Sequence, residues 1–133
     1  MSFIQQSNYG ETPFQDILGH IPDLLIKWND LSDFLTKEGS LSVNLKEEVR
    51  RVLAYGNKCR YCMAKGKPNM KIKDEEIQIA TAFADLFLNY RSSINEAHFN
   101  ILRTVFNERQ IVELCVFICF TTASQSLGAI TNL

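Results

Sequence analysis

The stretch EEVRRVLAYGNKCRYC, residues 47–62, places two patterns back to back. Val49, Val52 and Leu53, with Leu45 just upstream, recur at helical spacing and form an apolar stripe. Asn44 followed by Glu47 fits a capping box at the start of that helix. Gly56 is its natural stop. The chain then reads Cys59-Arg60-Tyr61-Cys62, and a short helix is expected from about Cys59 to Lys65, halting at Gly66-Lys67-Pro68. A helix that ends in glycine and hands over to a dithiol on the next short helix sets the frame for the rest.

The segments on either side are helical too. Upstream, Leu24, Leu25, Trp28, Leu31 and Leu35 share a face, Pro22 suits the first turn and Gly39 marks the end. Downstream, Ile77, Ala80, Phe83, Ala84 and Phe87 form one side of KDEEIQIATAFADLFLNY. Ser93 with Glu96 caps the next helix, whose Phe99, Leu102 and Phe106 face inward. Asn107 with Gln110 caps the last helix, which is apolar nearly all round from Ile111 to Phe120. Such a helix is central or lies in a subunit interface. Strands find little support. The reading is one all-α domain over residues 1–133 with six to seven helices and a loose N-terminal segment at 1–13.

Composition agrees with a packed domain. The chain has 133 residues, 46% of them hydrophobic, with nine Phe and four Tyr, enough apolar surface for a core. A net charge of −1 points neither to nucleic acid nor to an anionic membrane surface. No run of about 18 apolar residues predicts a membrane span. The first residues lack the basic and apolar regions of a secretory signal. A cytoplasmic, reducing location is the expectation, and there a Cys-x-x-Cys is catalytic or metal-binding more often than a structural staple.

The dithiol is the chemistry-bearing feature. A thiolate attacks peroxides and disulfides, and a second Cys three residues on can close a disulfide with it. Lys58, Arg60, Lys65 and Lys67 supply nearby positive charge that favours thiolate. A helix start at Cys59 would favour thiolate at that sulfur. Cys115 and Cys119 share a face of the apolar last helix and read as core packing, because cysteine there behaves as a small hydrophobe. A four-cysteine zinc site is the weaker alternative, since its second half would sit on an apolar helix and not on a polar knuckle. No metal is expected. Glu47 is either the capping carboxylate of its helix or a proton acceptor for a thiol on the next one.

Glu47, Cys59 and Cys62 together resemble the carboxymuconolactone decarboxylase-like superfamily, in its alkylhydroperoxidase D-like branch. That branch carries Glu-x11-Cys-x2-Cys-x3-His, and Tyr61 is common before its second Cys. The resemblance runs from about residue 14 to 130, through the Gly-x-Leu of GSL (residues 39–41) and the Ile-Val-Glu-Leu entry to the last helix. It implies the family's helical protomer, usually a homo-trimer or homo-hexamer. It also implies a thiol-dependent peroxidase of peroxiredoxin type, with Cys62 attacking a small peroxide, Cys59 resolving and Glu47 as relay base. No cofactor is implied beyond an external thiol or dithiol reductant, and neither nucleic acid nor membrane is a partner.

Two departures stand out. The motif histidine falls at Gly66, and the Arg or Asn expected late in the last helix is missing from TTASQSLGAI. If the fold keeps a relay at that place, Gly66→His should raise turnover. His20 and His98 are the only histidines that could stand in. A binding or redox-sensing protein on the same fold is the alternative function, and a lactone decarboxylase the third.

Overall fold

The structure, a computed structural model, describes residues 1–133. It has seven α-helices and no strand: α1 Pro13–Leu18, α2 Pro22–Thr36, α3 Val43–Gly56, α4 Arg60–Met63, α5 Glu75–Tyr90, α6 Glu96–Leu102 and α7 Glu108–Ile130. A short 3-10 turn, Arg91–Ser93, joins α5 to α6.

The opening stretch forms the middle of the molecule. Leu45, Val49 and Leu53 of α3 pack against Ala80, Phe83 and Ala84 of α5 and against Ile111, Leu114, Phe117 and Ile118 of α7. Ala80 and Ala84 are fully buried, and their small side chains let α5 lie close to α3. Phe83 meets Phe99 edge-on at 5.7 Å. Each large aliphatic or aromatic side chain so buried contributes about 1.5–3 kcal/mol.

Several expected boundaries hold, and others move by a few residues. Pro22 opens α2, Gly56 is the last residue of α3, and the Asn107–Gln110 capping box forms. The Asn44–Glu47 box does not. Helix α3 starts earlier, at Val43, because Ser42 Oγ takes the Leu45 N–H at 3.1 Å, which frees Glu47 for other partners. The cap of α6 is Asn95 and not Ser93. Its box is closed by His98, whose Nδ1 accepts the Asn95 N–H at 3.1 Å. Helix α2 ends at Thr36, short of Gly39, and half of its stripe faces out: Leu25 and Leu35 are buried, Leu24 and Leu31 exposed.

Residues 1–12 carry no helix but are tied down. Phe3 donates its N–H to the Thr131 carbonyl at 2.8 Å, and Asn132 Nδ2 donates to the Met1 carbonyl at 2.7 Å. Helix α7 is long and apolar enough, by length and composition, to cross a membrane. Here one face of it supplies core side chains, while Val112, Val116 and Cys119 form an exposed apolar strip.

Candidate functional site

Cys59 and Cys62 are joined as a disulfide, their Cα atoms 5.1 Å apart. The backbone that presents them follows from local rules. Lys58 takes a left-handed conformation, φ 56°, and turns the chain between α3 and α4. Cys59 then serves as the N-cap of α4, its Sγ accepting the Cys62 N–H at 3.2 Å. The two sulfurs differ in access. Cys59 is 0% exposed, whereas Cys62 is half-buried and lines a cavity of about 280 Å³. Gly128 of α7 lies against the pair; a Cβ at that position would come within 2.9 Å of Cys59 Sγ, so the disulfide docks where α7 has no side chain.

The cavity sits between α1, α2, α4 and α7. Its apolar wall is a run of aromatics, with Trp28 5.1 Å from Phe120 and 6.3 Å from Phe14 between ring centroids. Its charged wall holds Arg50 and Lys65, and exposed Asp33 stands on the α2 side. Arg50 grips Glu47 with both arms of its fork, Nε to Oε2 at 2.8 Å and Nη2 to Oε1 at 2.7 Å. Its Nη1 donates to the Cys62 carbonyl at 3.0 Å. Gln125, buried on α7, donates to the Arg50 carbonyl at 3.1 Å and accepts from Asn57 at 2.9 Å, so α7 ties down the end of α3 next to the dithiol.

Glu47 does not line the cavity; Arg50 connects it to the backbone of Cys62. It also accepts from Arg51 Nε at 3.1 Å. The hydrogen bond from Arg50 does most to hold its carboxyl below the usual range, against the opposing effect of burial, with Arg51 adding to it. Lys65 differs. No carboxylate lies within ion-pair distance of it. Its Nζ stands over the ring of Tyr61, 5.1 Å from the centroid. Burial and then the Arg50 charge push its ammonium below the ordinary lysine range, while Glu47 pulls the other way.

The motif-histidine position has a physical occupant. Gly66 sits at φ 133°, and a Cβ there would meet Arg51 Nε at 3.1 Å and Cζ at 3.2 Å. Arg51 is fixed in that place by Glu47, by Glu48 and by the Lys67 carbonyl at 3.3 Å. Gly66→His is therefore expected to give no gain in peroxide turnover and to cost roughly 1–3 kcal/mol of stability for the left-handed backbone. Denaturant midpoints and a turnover assay check this; a tenfold gain with an unchanged midpoint would sink it.

Neither histidine reaches the cavity. His20 Nε2 pairs with the Gln5 carbonyl at 2.7 Å, and His98 caps α6. The apolar-helix cysteines divide. Cys115 packs half-buried against the core, where burial first and Cys119 second push its thiol up, but Cys119 is exposed and is not core. No three His, Cys, Asp or Glu side chains converge as a ligand set. Lys65 is legible in the sequence only as one of four positive charges near the dithiol, and Arg50, Gln125 and Gly128 carry no site signal there.

No protein-family model matches the chain, and no curated protein matches it either. The fold is similar to the crystal structure of an uncharacterized peroxidase-related protein from Silicibacter sp. TM1040, with a TM-score of 0.75 at 20% identity, over 90% of this chain and 73% of that one. The all-helical architecture is thus shared with that structure.

Proposed function

We propose that this chain is a thiol-dependent peroxidase of the alkylhydroperoxidase D-like branch, acting on organic hydroperoxides. The observation that carries the reading is that Cys62, one half of the Cys59–Cys62 disulfide, opens onto an aromatic-walled cavity. At about 280 Å³ the cavity far exceeds the needs of hydrogen peroxide, given that a water takes up about 30 Å³ of liquid. An alkyl or aryl group against Trp28 and Phe120 fits it.

The reduced protein starts from Cys62 as thiolate, its proton released to solvent, while Glu47, off the cavity, holds Arg50 at the Cys62 carbonyl. Attack on the terminal peroxide oxygen forms an S–O bond, breaks the O–O bond and expels an alkoxide. Cys62 is then a sulfenic acid. The Cys59 thiol displaces its hydroxyl as water and the disulfide closes. An external dithiol returns two electrons and two protons by thiol–disulfide exchange. The assembly we propose is a homo-trimer or homo-hexamer in the cytoplasm, with the Val112, Val116 and Cys119 strip as the apolar surface such an assembly would cover.

A second reading is redox sensing without turnover. The grip of Arg50 and Arg51 on Glu47 supports it, because a carboxylate held below its usual pKa is a weak base. One experiment separates the two. Fully reduced protein receives one equivalent of cumene hydroperoxide, then excess dithiothreitol and peroxide. Rapid loss of two thiols and about two mass units, mapped to Cys59–Cys62, followed by steady turnover is the expected result. One round without turnover would favour the sensor. Survival of all four thiols would sink both.

A further inference from the structure

A thiolate breaks an O–O bond only as fast as the departing oxygen is stabilised. With Gly66 at the motif-histidine position, that step needs another proton donor. We propose that Lys65 is the general acid of this site, donating its ammonium proton to the alkoxide that leaves when Cys62 attacks an organic hydroperoxide. The proposal rests on the peroxidase reading above.

Placement comes first. Lys65 and Cys62 line the same cavity, one turn apart, with the Lys65 N–H bonded to the Cys62 carbonyl at 3.3 Å. Tyr61, whose ring carries the Lys65 ammonium, lines it as well. Elimination comes second. Arg50 is on the cavity but stays protonated, and it is engaged by Glu47 and the Cys62 carbonyl. Glu47 is off the cavity and held by two guanidiniums. From α2 only exposed Asp33 is charged, and α1 and α7 bring no titratable group to the cavity wall. What remains is Lys65, with no carboxylate claiming its protons, and Tyr61. Third, Lys65 is an exposed residue by surface area, yet its ammonium end is partly desolvated, and that with the Arg50 charge makes it a readier proton donor than a free lysine.

The step balances. Cys62–S⁻ takes the terminal OH of R–O–OH, leaving Cys62–S–OH and R–O⁻. The alkoxide takes a proton from Lys65–NH₃⁺, giving R–OH and a neutral amine. The amine recovers a proton from solvent, which received the one Cys62 lost at the start. Cys59–SH then displaces OH from Cys62 as water.

Leaving-group dependence tests it. Single-turnover oxidation of reduced protein is followed with tert-butyl hydroperoxide, whose alkoxide is strongly basic, and with peracetic acid, whose leaving carboxylate needs no proton. Lys65→Gln should slow the first by roughly 10²–10³-fold and the second by less than about tenfold. Lys65→Arg keeps the charge but cannot give up a proton, and it should behave like Lys65→Gln. Equal losses with both oxidants, full activity in Lys65→Arg, or the same selectivity appearing in Tyr61→Phe instead would each overturn the assignment. If wild-type protein reacts with neither oxidant, the peroxidase reading itself fails, which is a different result from a reactive wild type whose Lys65 variants show no selectivity.

Discussion

Cys62→Ser should slow peroxide-driven thiol oxidation by at least about 10³-fold, because a neutral hydroxyl replaces the attacking thiolate. Cys59→Ser should behave differently. Its first oxidation should run within about tenfold of wild type, since Cys62 keeps its place on the cavity and general acid–base groups are untouched. It should then stop, with Cys62 trapped as a sulfenic acid that excess peroxide carries to sulfinic acid. Intact mass after one equivalent of peroxide, with a sulfenic-acid trap, reads the difference directly. The asymmetry follows from access: Cys59 is 0% exposed beneath Gly128, and Cys62 opens onto the cavity. The opposite pattern, a silent Cys59→Ser and an oxidisable Cys62→Ser, would assign attack to the capping sulfur. Cys59 does accept a backbone N–H, which favours its thiolate, but a buried thiolate that meets no peroxide does no chemistry.

Which sulfur meets the cavity is not legible in the sequence. Spacing places both cysteines on one short helix and cannot say which sulfur faces a cavity made by α1, α2 and α7. The same limit applies to Glu47. Its position twelve residues before Cys59 is legible, yet the two arginines that hold it come from the next turn of its own helix. Arginines three and four residues on read as an ordinary solvated ion-pair face. Only the fold shows Arg50 reaching the Cys62 carbonyl and Arg51 filling the space beside Gly66.

Where the sequence reads well, one periodic stripe decides the local structure. Leu45, Val49 and Leu53, and likewise Ala80, Phe83 and Ala84, are buried as their spacing predicts. Helix α2 reads less well because it covers the cavity from one side only, so its stripe is shared between Leu25 and Leu35 inside and Leu24 and Leu31 outside. Caps mislead when two polar residues compete. Ser42 caps α3 and leaves Asn44 inside the first turn, whereas at α6 the cap is Asn95, two residues beyond Ser93.

Glu113 gives the largest expected loss of stability. Sequence places it only in the Ile-Val-Glu-Leu entry to the last helix, but the structure makes it the anchor of the loop after α2. Its carboxylate accepts the Ser40 N–H at 3.2 Å and the Leu41 N–H at 2.8 Å. It also pairs at 3.3 Å with Lys46, whose side chain is 3% exposed. Burial alone would raise its pKa, but the Leu41 and Ser40 N–H groups and Lys46 outweigh it and hold the carboxyl below its usual value. A carboxyl lowered on folding stabilises the protein above its unfolded pKa of about 4.3, and that contribution is lost as pH falls through the folded value. Glu113→Gln should therefore cost about 2–3 kcal/mol at neutral pH, the scale of lost hydrogen bonds to a charged group, since Lys46 keeps the Lys37 carbonyl at 2.8 Å. The gap to wild type should shrink as pH falls below about 4.3 and on through the lowered folded value, where wild type protonates Glu113 as well. Glu47, also lowered, stays in the variant, so acid should still destabilise it, with a shallower slope. Urea titrations of both proteins across that range measure this. A gap that persists unchanged at the acid end would mean that packing around Glu113, and not its charge, holds the loop to α7.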